Sequence, residues 1–176
     1  MPKIIPDIQT TIFTATKSLL QKHGYTGISL RMIAAECNIS VGTIYNYYPN
    51  KLLLVLDIIQ KDWLELFVFS RQEYDEMTSI NTVLLLIFRK IRSFPKEYWN
   101  LFNQFSGESM DEQFIHNHRF VIKTISDLIR DNENRFGLNN SDPFLNLIAE
   151  MILTAAIHEC NEEAFIDLTA RIYPKQ

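Results

Sequence analysis

Apolar residues recur every three or four positions from the start of the chain, which is the spacing of one buried helix face. Between Pro6 and His23 they fall at Ile8, Ile12, Ala15, Leu19 and Leu20. Gly24 follows, and glycine readily adopts the left-handed conformation that often ends a helix. The pattern therefore predicts a first helix over residues 6–23.

Two shorter helices follow, and a serine precedes each of them. Ser29 stands before a segment that ends near Cys37, and Ser40 stands before a segment over 41–48. A serine side chain caps a helix by accepting a hydrogen bond from a backbone amide of the first turn. Asn38 lies between the two segments, and asparagine tolerates the left-handed conformation of a tight turn. The sequence therefore predicts a helix, a turn and a second helix.

The rest of the chain shows only helical periodicity. Asn50 is a predicted cap for a long fourth helix that runs from 51 to about 74. Polar or helix-breaking residues separate further predicted helices near 79–93, 95–105, 110–136, 142–159 and 161–173. The predicted fold is all-α, with an N-terminal three-helix domain that holds a helix-turn-helix (1–50) and a C-terminal helical bundle (51–176).

Composition and charge restrict the class of protein. The chain is 47% hydrophobic and 22% charged, as in ordinary globular proteins. No secretory leader and no apolar run of about 20 residues is recognisable, so we expect a cytoplasmic protein with no membrane contact. Residues 1–51 hold five basic and two acidic side chains, whereas the rest of the chain carries a net charge of −7. A basic head on an acidic body suits a protein that meets nucleic acid at one end.

The third predicted helix carries side chains suited to reading DNA. Two short helices joined by a turn form a helix-turn-helix, whose second helix enters the major groove. Ile44 and Tyr48 are predicted to point inward, and Gly42 lets the backbone approach a duplex closely. The outward face then offers base and phosphate contacts from Val41, Thr43, Tyr45, Asn46 and Tyr47.

This part of the chain closely resembles the TetR/AcrR family of transcriptional regulators, in residues 24–25, 29–34 and 39–51. The resemblance covers residues 8 to about 60. It implies a homodimer with two DNA-binding heads and a helical body for effector binding and dimerisation. It also implies that Tyr45, Tyr47 and Lys51 contact phosphates. The other members of the implied DNA-binding set lie against bases or nearby backbone: Arg31, Ser40, Val41, Gly42, Thr43 and Asn46.

One position departs from the family pattern. Val41 stands where the family often has a basic or polar residue, and valine offers no hydrogen bond to a base edge. We therefore expect base readout to depend on Arg31, on DNA shape and on contacts with thymine methyl groups.

Aromatic residues of the body form a second candidate site. Tyr98, Trp99, Phe102 and Phe105 share one face of a predicted helix, and the full candidate set for effector binding is Phe88, Tyr98, Trp99, Phe102, Phe105 and Phe120. The resemblance implies that such residues line a cavity for a small-molecule effector, and plain core packing is the alternative. His116 and His118 fall on different sides of a helix, so no metal site is predicted.

The last two predicted helices carry more apolar surface than one core needs. In the helix from 142, one stripe holds Leu145, Ile148, Ile152 and Ala155, and another holds Leu147, Met151 and Ala156. The final helix adds Phe165, Ile166, Leu168, Thr169 and Ile172. We expect one face to pack inward and the other to meet a second copy of the chain. A central helix wholly buried within a monomer is the alternative.

These features predict a sequence-specific repressor that a small-molecule effector releases from a palindromic operator in double-stranded DNA. The alternative is a DNA-binding module of the same fold that signals through a protein partner without a small effector. No glycine-rich phosphate loop, no nucleophile beside a base and no metal-spaced cluster is recognisable. The sequence therefore predicts no enzymatic activity, no metal site and no cofactor.

Overall fold

The structure, a computed structural model, describes residues 8–96, 98–99 and 111–174, with the backbone alone for 111–114. Every regular element in these residues is an α-helix, which confirms the predicted fold class. The helices are α1 (Ile8–His23), α2 (Leu30–Glu36), α3 (Val41–Tyr45), α4 (Lys51–Leu66), α5 (Arg71–Glu76), α6 (Ile80–Ser93), α7 (Asp111–Arg135), α8 (Asp142–Ile157) and α9 (Glu162–Ile172).

The chain divides into two compact units, Met1–Asp62 and Trp63–Gln176. The N-terminal unit therefore includes α1, α2, α3 and the larger part of α4. The functional division at residue 50 remains a prediction.

One apolar core holds the four helices of the N-terminal unit together. α1 contributes Ile12, α2 contributes Ile33 and α3 contributes Ile44, while α4 contributes Leu54 and Ile58. All five side chains are fully buried. Burying a side chain of this size is worth about 1.5–3 kcal/mol. Helices as short as α2 and α3 are marginal in isolation, so this core is what stabilises them.

The turns and caps of the N-terminal unit form as the sequence predicts. Gly24 and Asn38 both adopt positive φ, at 65° and 54°, and so end α1 and α2 in the left-handed region. Ser29 and Ser40 each accept a hydrogen bond from the backbone amide three residues further on, and Asn50 does the same at the start of α4. These local bonds determine where α2, α3 and α4 begin.

The fourth helix is shorter than the sequence predicts. α4 ends at Leu66, whereas the prediction extended it to about Tyr74. Ser70 starts a separate helix because its side chain accepts from the amide of Glu73, whose carboxylate accepts from the amide of Ser70 at 2.7 Å. This capping box competes with a continuous helix. The apolar run over 67–69 keeps helical spacing and therefore hides the break.

In the C-terminal unit, α6 is the central helix. It packs against α7, α8 and α9, and α7 also packs against α8. The inward face of α6 consists of Ile80, Val83, Leu84, Ile87, Phe88 and Ile91. Phe88 stacks on Phe165 of α9, with 4.1 Å between ring centroids and 11° between ring planes. This stack fixes α9 against the core by one face only.

A buried polar network fixes the end of α9. The Tyr173 hydroxyl donates to the carboxylate of Glu133, and the carbonyl oxygen of Tyr173 accepts from Asn81 Nδ2 at 2.8 Å. Asn140 donates to the same carboxylate through its side chain at 2.6 Å and its backbone amide at 3.2 Å. Burial and the Glu133 hydrogen bond raise the pKa of Tyr173, which keeps its hydroxyl protonated as a donor. The buried carboxylate is therefore well supplied with donors, as a buried charge must be.

Candidate nucleic-acid interface

α3 presents aromatic and polar side chains to solvent. It ends at Tyr45, earlier than the predicted residue 48, and Asn46 is its C-terminal cap residue. Ile44 is fully buried, whereas Tyr45 and Tyr47 are 54% and 48% exposed. Asn46 is exposed as well. Tyr45 at the end of α3 and Tyr47 just beyond it thus leave aromatic surface available to a partner.

The start of α3 is held by a local hydrogen-bond pair. Ser40 Oγ accepts from the amide of Thr43 at 3.1 Å and lies 2.9 Å from Thr43 Oγ1. The two hydroxyls are thus bonded to each other. Gly42 is exposed, and a Cβ built there would meet only Ser40 Oγ at 3.6 Å, an ordinary contact distance. Packing within the protein therefore does not require glycine at this position. The backbone of Gly42 is exposed to solvent. Val41, next to it, is half-buried.

An open groove brings residues of three helices together. It is lined by Ile28, Ser29, Leu30, Arg31, Tyr45, Pro49, Asn50 and Lys51. Three of these residues were predicted to contact DNA, and they lie on three different helices: Arg31 on α2, Tyr45 on α3 and Lys51 on α4. Their guanidinium, hydroxyl and ammonium groups are hydrogen-bond donors that suit phosphate oxygens. The groove therefore has the chemistry of a site for the DNA backbone.

Lys51 has an internal role that the sequence does not reveal. Its Nζ donates to the carbonyl oxygens of Tyr25 at 2.6 Å and Ile28 at 2.9 Å, and it lies 4.1 Å from the centroid of the Tyr25 ring. Burial lowers the pKa of Lys51. An ammonium group has three donors, so one N–H is left over from these two bonds. Lys51 thus ties the loop between α1 and α2 to the start of α4.

Two further residues, Gln9 and Asp57, were missed by sequence reasoning. Both lie beside Tyr48, whose predicted inward orientation is confirmed by its burial. Both hydrogen-bond the Tyr48 hydroxyl. A single polar residue on a helix face gives no sequence signal for such a bond, because its partner lies outside that helix.

The aromatic candidates of the body occupy different environments. Phe88 is fully buried in its stack on Phe165, so it is a core residue. Tyr98 is buried beside Phe94, with 5.3 Å between ring centroids. Phe120 is half-buried. The other two candidates, Phe102 and Phe105, lie outside the described residues.

Trp99 belongs to an aromatic cluster that sequence reasoning identified only in part. Its ring is half-buried and meets the rings of Trp63 and Phe94 edge to face, at centroid distances of 6.0 and 5.4 Å. Phe67 also contacts Trp63 at 5.1 Å. Trp63 is buried, and its Nε1 has no hydrogen-bond partner among the residues that the structure describes. A buried N–H without a partner costs about 1–3 kcal/mol, so it is a candidate contact for a hydrogen-bond acceptor.

The part of the chain that the structure describes holds neither a cluster of metal ligands nor a membrane-spanning helix. Within residues 8–96, 98–99 and 111–174, no group of three or more histidine, cysteine, aspartate or glutamate side chains could hold a metal ion. Over the same residues, no helix is long and apolar enough to cross a bilayer.

Comparison with known proteins identifies the N-terminal segment. Residues 12–58 match the model for bacterial regulatory proteins of the tetR family. The chain is 33% identical over 52 residues to the HTH-type transcriptional repressor KstR of Rhodococcus jostii, a match that covers 30% of this chain and 24% of that repressor. The matched segment thus spans about a quarter of this relative's length.

Two other similarities extend over most of the chain. An HTH-type transcriptional regulator of Haemophilus influenzae is 24% identical over 170 residues, which covers 92% of this chain and 86% of that regulator. The crystal structure of RolR without ligand has the same fold, with a TM-score of 0.66, 14% identity and coverage of 95% and 91% of the two chains. Together, the match over residues 12–58 and these similarities support a helix-turn-helix regulator of the TetR/AcrR family.

Proposed function

We propose that this protein is a sequence-specific repressor that binds a palindromic operator through the face formed by α3 and the adjoining groove. The observation that carries the proposal is the groove itself, because it gathers Arg31 of α2, Tyr45 of α3 and Lys51 of α4. KstR, which resembles this segment, is a transcriptional repressor, and this supports repression as the mode of control.

The contacts divide by their chemistry. The donors of Tyr45, Tyr47 and Lys51 would position the protein on phosphates, which carry no sequence information. Asn46 is exposed beside them and has the amide that pairs with an adenine edge. Arg31 reaches the same groove and is suited either to a guanine edge or to a phosphate. The open side of Gly42 would let the α3 backbone approach the duplex.

A second copy of the chain is the proposed partner for the last two helices. Leu147 on α8 is 69% exposed, and Ile157, Ile166 and Leu168 are also exposed, although they lie on helices whose inner faces already fill the core. Ile152, by contrast, is fully buried and belongs to the inward stripe of α8. Exposed apolar side chains on these two helices favour association with a partner. A two-fold dimer would then present two α3 helices to two operator half-sites.

The aromatic cluster around Trp63 and Trp99 is the proposed site of effector binding. Its rings provide an apolar surface, and Trp63 Nε1 is a buried donor to which no described residue offers an acceptor. The ligand class that fits is an apolar molecule with one hydrogen-bond acceptor, such as a carbonyl or carboxylate oxygen. Its binding would release DNA if the DNA-free state binds it more tightly.

Selection from a pool of random duplexes tests the proposal. The full chain should enrich a sequence with two inverted half-sites, whose centres lie about one helical turn apart if the dimer reads neighbouring major grooves. Asn46→Ala should change the enriched bases, because it removes a base-reading amide. Tyr74→Phe is the control, since Tyr74 is an exposed tyrosine of the C-terminal unit. Failure of the wild-type chain to enrich any sequence would contradict the proposal.

A further inference from the structure

α3 is held in place by little apolar surface. Ile44 is the single buried residue within the helix, and Val41 is half-buried. Tyr48 follows the end of α3 and is buried, with its ring 6.2 Å from that of Phe13 on α1. These few contacts must fix the direction of the side chains that face DNA. A short helix with so small a core depends on any polar bond that ties it to its neighbours.

The Tyr48 hydroxyl makes such a bond to two helices at once. It donates to Asp57 Oδ2 of α4 at 2.6 Å and accepts from Gln9 Nε2 of α1 at 2.8 Å. Gln9 Nε2 also lies 3.5 Å from Asp57 Oδ2. The three side chains thus form a closed network that joins α1, the end of α3 and α4. A hydrogen bond to a charged acceptor is stronger than a neutral one, so the bond to Asp57 restricts the orientation of the Tyr48 side chain.

The two partners of the Tyr48 hydroxyl shift its pKa in opposite directions, and the hydroxyl stays a donor. Burial and the bond to Asp57 raise the pKa of Tyr48 to about 12. At neutral pH the phenol is therefore protonated and the carboxylate of Asp57 can accept from it.

We propose that Gln9, Tyr48 and Asp57 are positioning residues for DNA recognition, which hold α3 at the angle that base reading requires. The inference rests on the proposed DNA-binding function. Phosphate contacts act through charge and tolerate small rotations of α3, whereas hydrogen bonds to base edges do not. Loss of the network should therefore lower the affinity for the operator and leave the affinity for unrelated DNA unchanged.

The test compares two affinities of the full chain at several salt concentrations. One duplex is the sequence selected by the wild-type protein, and the other has the same length and an unrelated sequence. Tyr48→Phe removes only the hydroxyl and should reduce the ratio of the two affinities about tenfold, with an unchanged salt slope. Tyr74→Phe, which removes a tyrosine hydroxyl from the C-terminal unit, should leave the ratio unchanged.

Variants at the other two positions keep the tyrosine ring in place and test the network if Tyr48→Phe does not fold. Asp57→Ala and Gln9→Leu should also reduce the ratio, and Asp57→Asn, which retains an acceptor oxygen, should restore most of it. An unchanged ratio, or an equal loss of affinity for both duplexes, would overturn the inference while the wild-type selectivity stands. A wild-type chain that selects no sequence would overturn the proposed function, and this inference with it.

Discussion

Replacing Lys51 with methionine separates two roles that one side chain combines. Lys51→Met keeps an unbranched apolar stem but removes the ammonium group that bonds to the carbonyls of Tyr25 and Ile28. Hydrogen bonds from a charged donor are worth about 1.5–3 kcal/mol each when buried, and less where solvent competes. Since Lys51 is only half-buried, we expect about 2 kcal/mol for the two bonds together.

A loss of this size is large for the N-terminal unit. In a domain of about 60 residues, each kcal/mol shifts the melting temperature by roughly 4–8 °C. Lys51→Met should therefore lower the melting temperature of this unit by about 10 °C, as measured by circular dichroism without DNA. Lys61→Met is the matched control, because Lys61 is an exposed lysine of the same unit whose ammonium lies over the Phe13 ring.

The same variant tests whether Lys51 contacts a phosphate. If its third N–H reaches DNA, Lys51→Met should lower the slope of log affinity against log salt by about 0.9, measured by fluorescence anisotropy at a temperature where the variant is folded. A lower melting temperature with an unchanged slope would refute the phosphate contact. An unchanged melting temperature would refute the energetic role of the two carbonyl bonds.

Three further predictions follow from the structure. Leu147→Glu should dissociate the homodimer in sedimentation experiments without unfolding the chain, because Leu147 is exposed. A charge at the buried Ile152 should instead unfold the chain. A Leu147→Glu protein that stays dimeric would place the interface elsewhere. The folded state holds the Tyr48 proton more tightly than the unfolded state, because folding raises the pKa of Tyr48 to about 12. This stabilisation should be present below about pH 10 and lost as pH rises towards 12. Denaturant titrations should show the loss in the wild-type protein and not in Tyr48→Phe. Trp63→Phe should weaken the binding of apolar carbonyl compounds, followed by the fluorescence of Trp99, and leave operator affinity unchanged; equal ligand binding by both proteins would remove the indole N–H from the effector site.

The helical periodicity and the caps were sufficient to predict the fold and most helix ends. Gly24, Asn38, Ser29 and Ser40 act within a few residues of themselves, so a local reading of the sequence was enough. The break before α5 was missed because the capping box of Ser70 competes with an apolar pattern that continues through it. Where a capping box and an apolar pattern point to different helix ends, the sequence does not show which of them prevails.

Contacts between residues far apart in the chain could not be predicted from the sequence. The side chains proposed to contact DNA were predicted from helix direction and from the family resemblance, and Tyr45, Asn46 and Tyr47 are exposed in the structure. The carbonyl bonds of Lys51 and the network of Tyr48 depend on which loops and helices meet, and no spacing encodes them. In the body, the spacing of aromatic residues did not distinguish the core stack of Phe88 from the cluster around Trp63 and Trp99.

Hydrogen exchange of the full chain, measured with and without its selected duplex, tests the central claim that α3 and the adjoining groove meet DNA. We predict that DNA protects backbone amides in the segments over 29–31 and 40–51, and that Tyr74→Phe gives the same pattern. Protection confined to the C-terminal unit, or no protection over 40–51 in a protein that binds its duplex, would contradict the account.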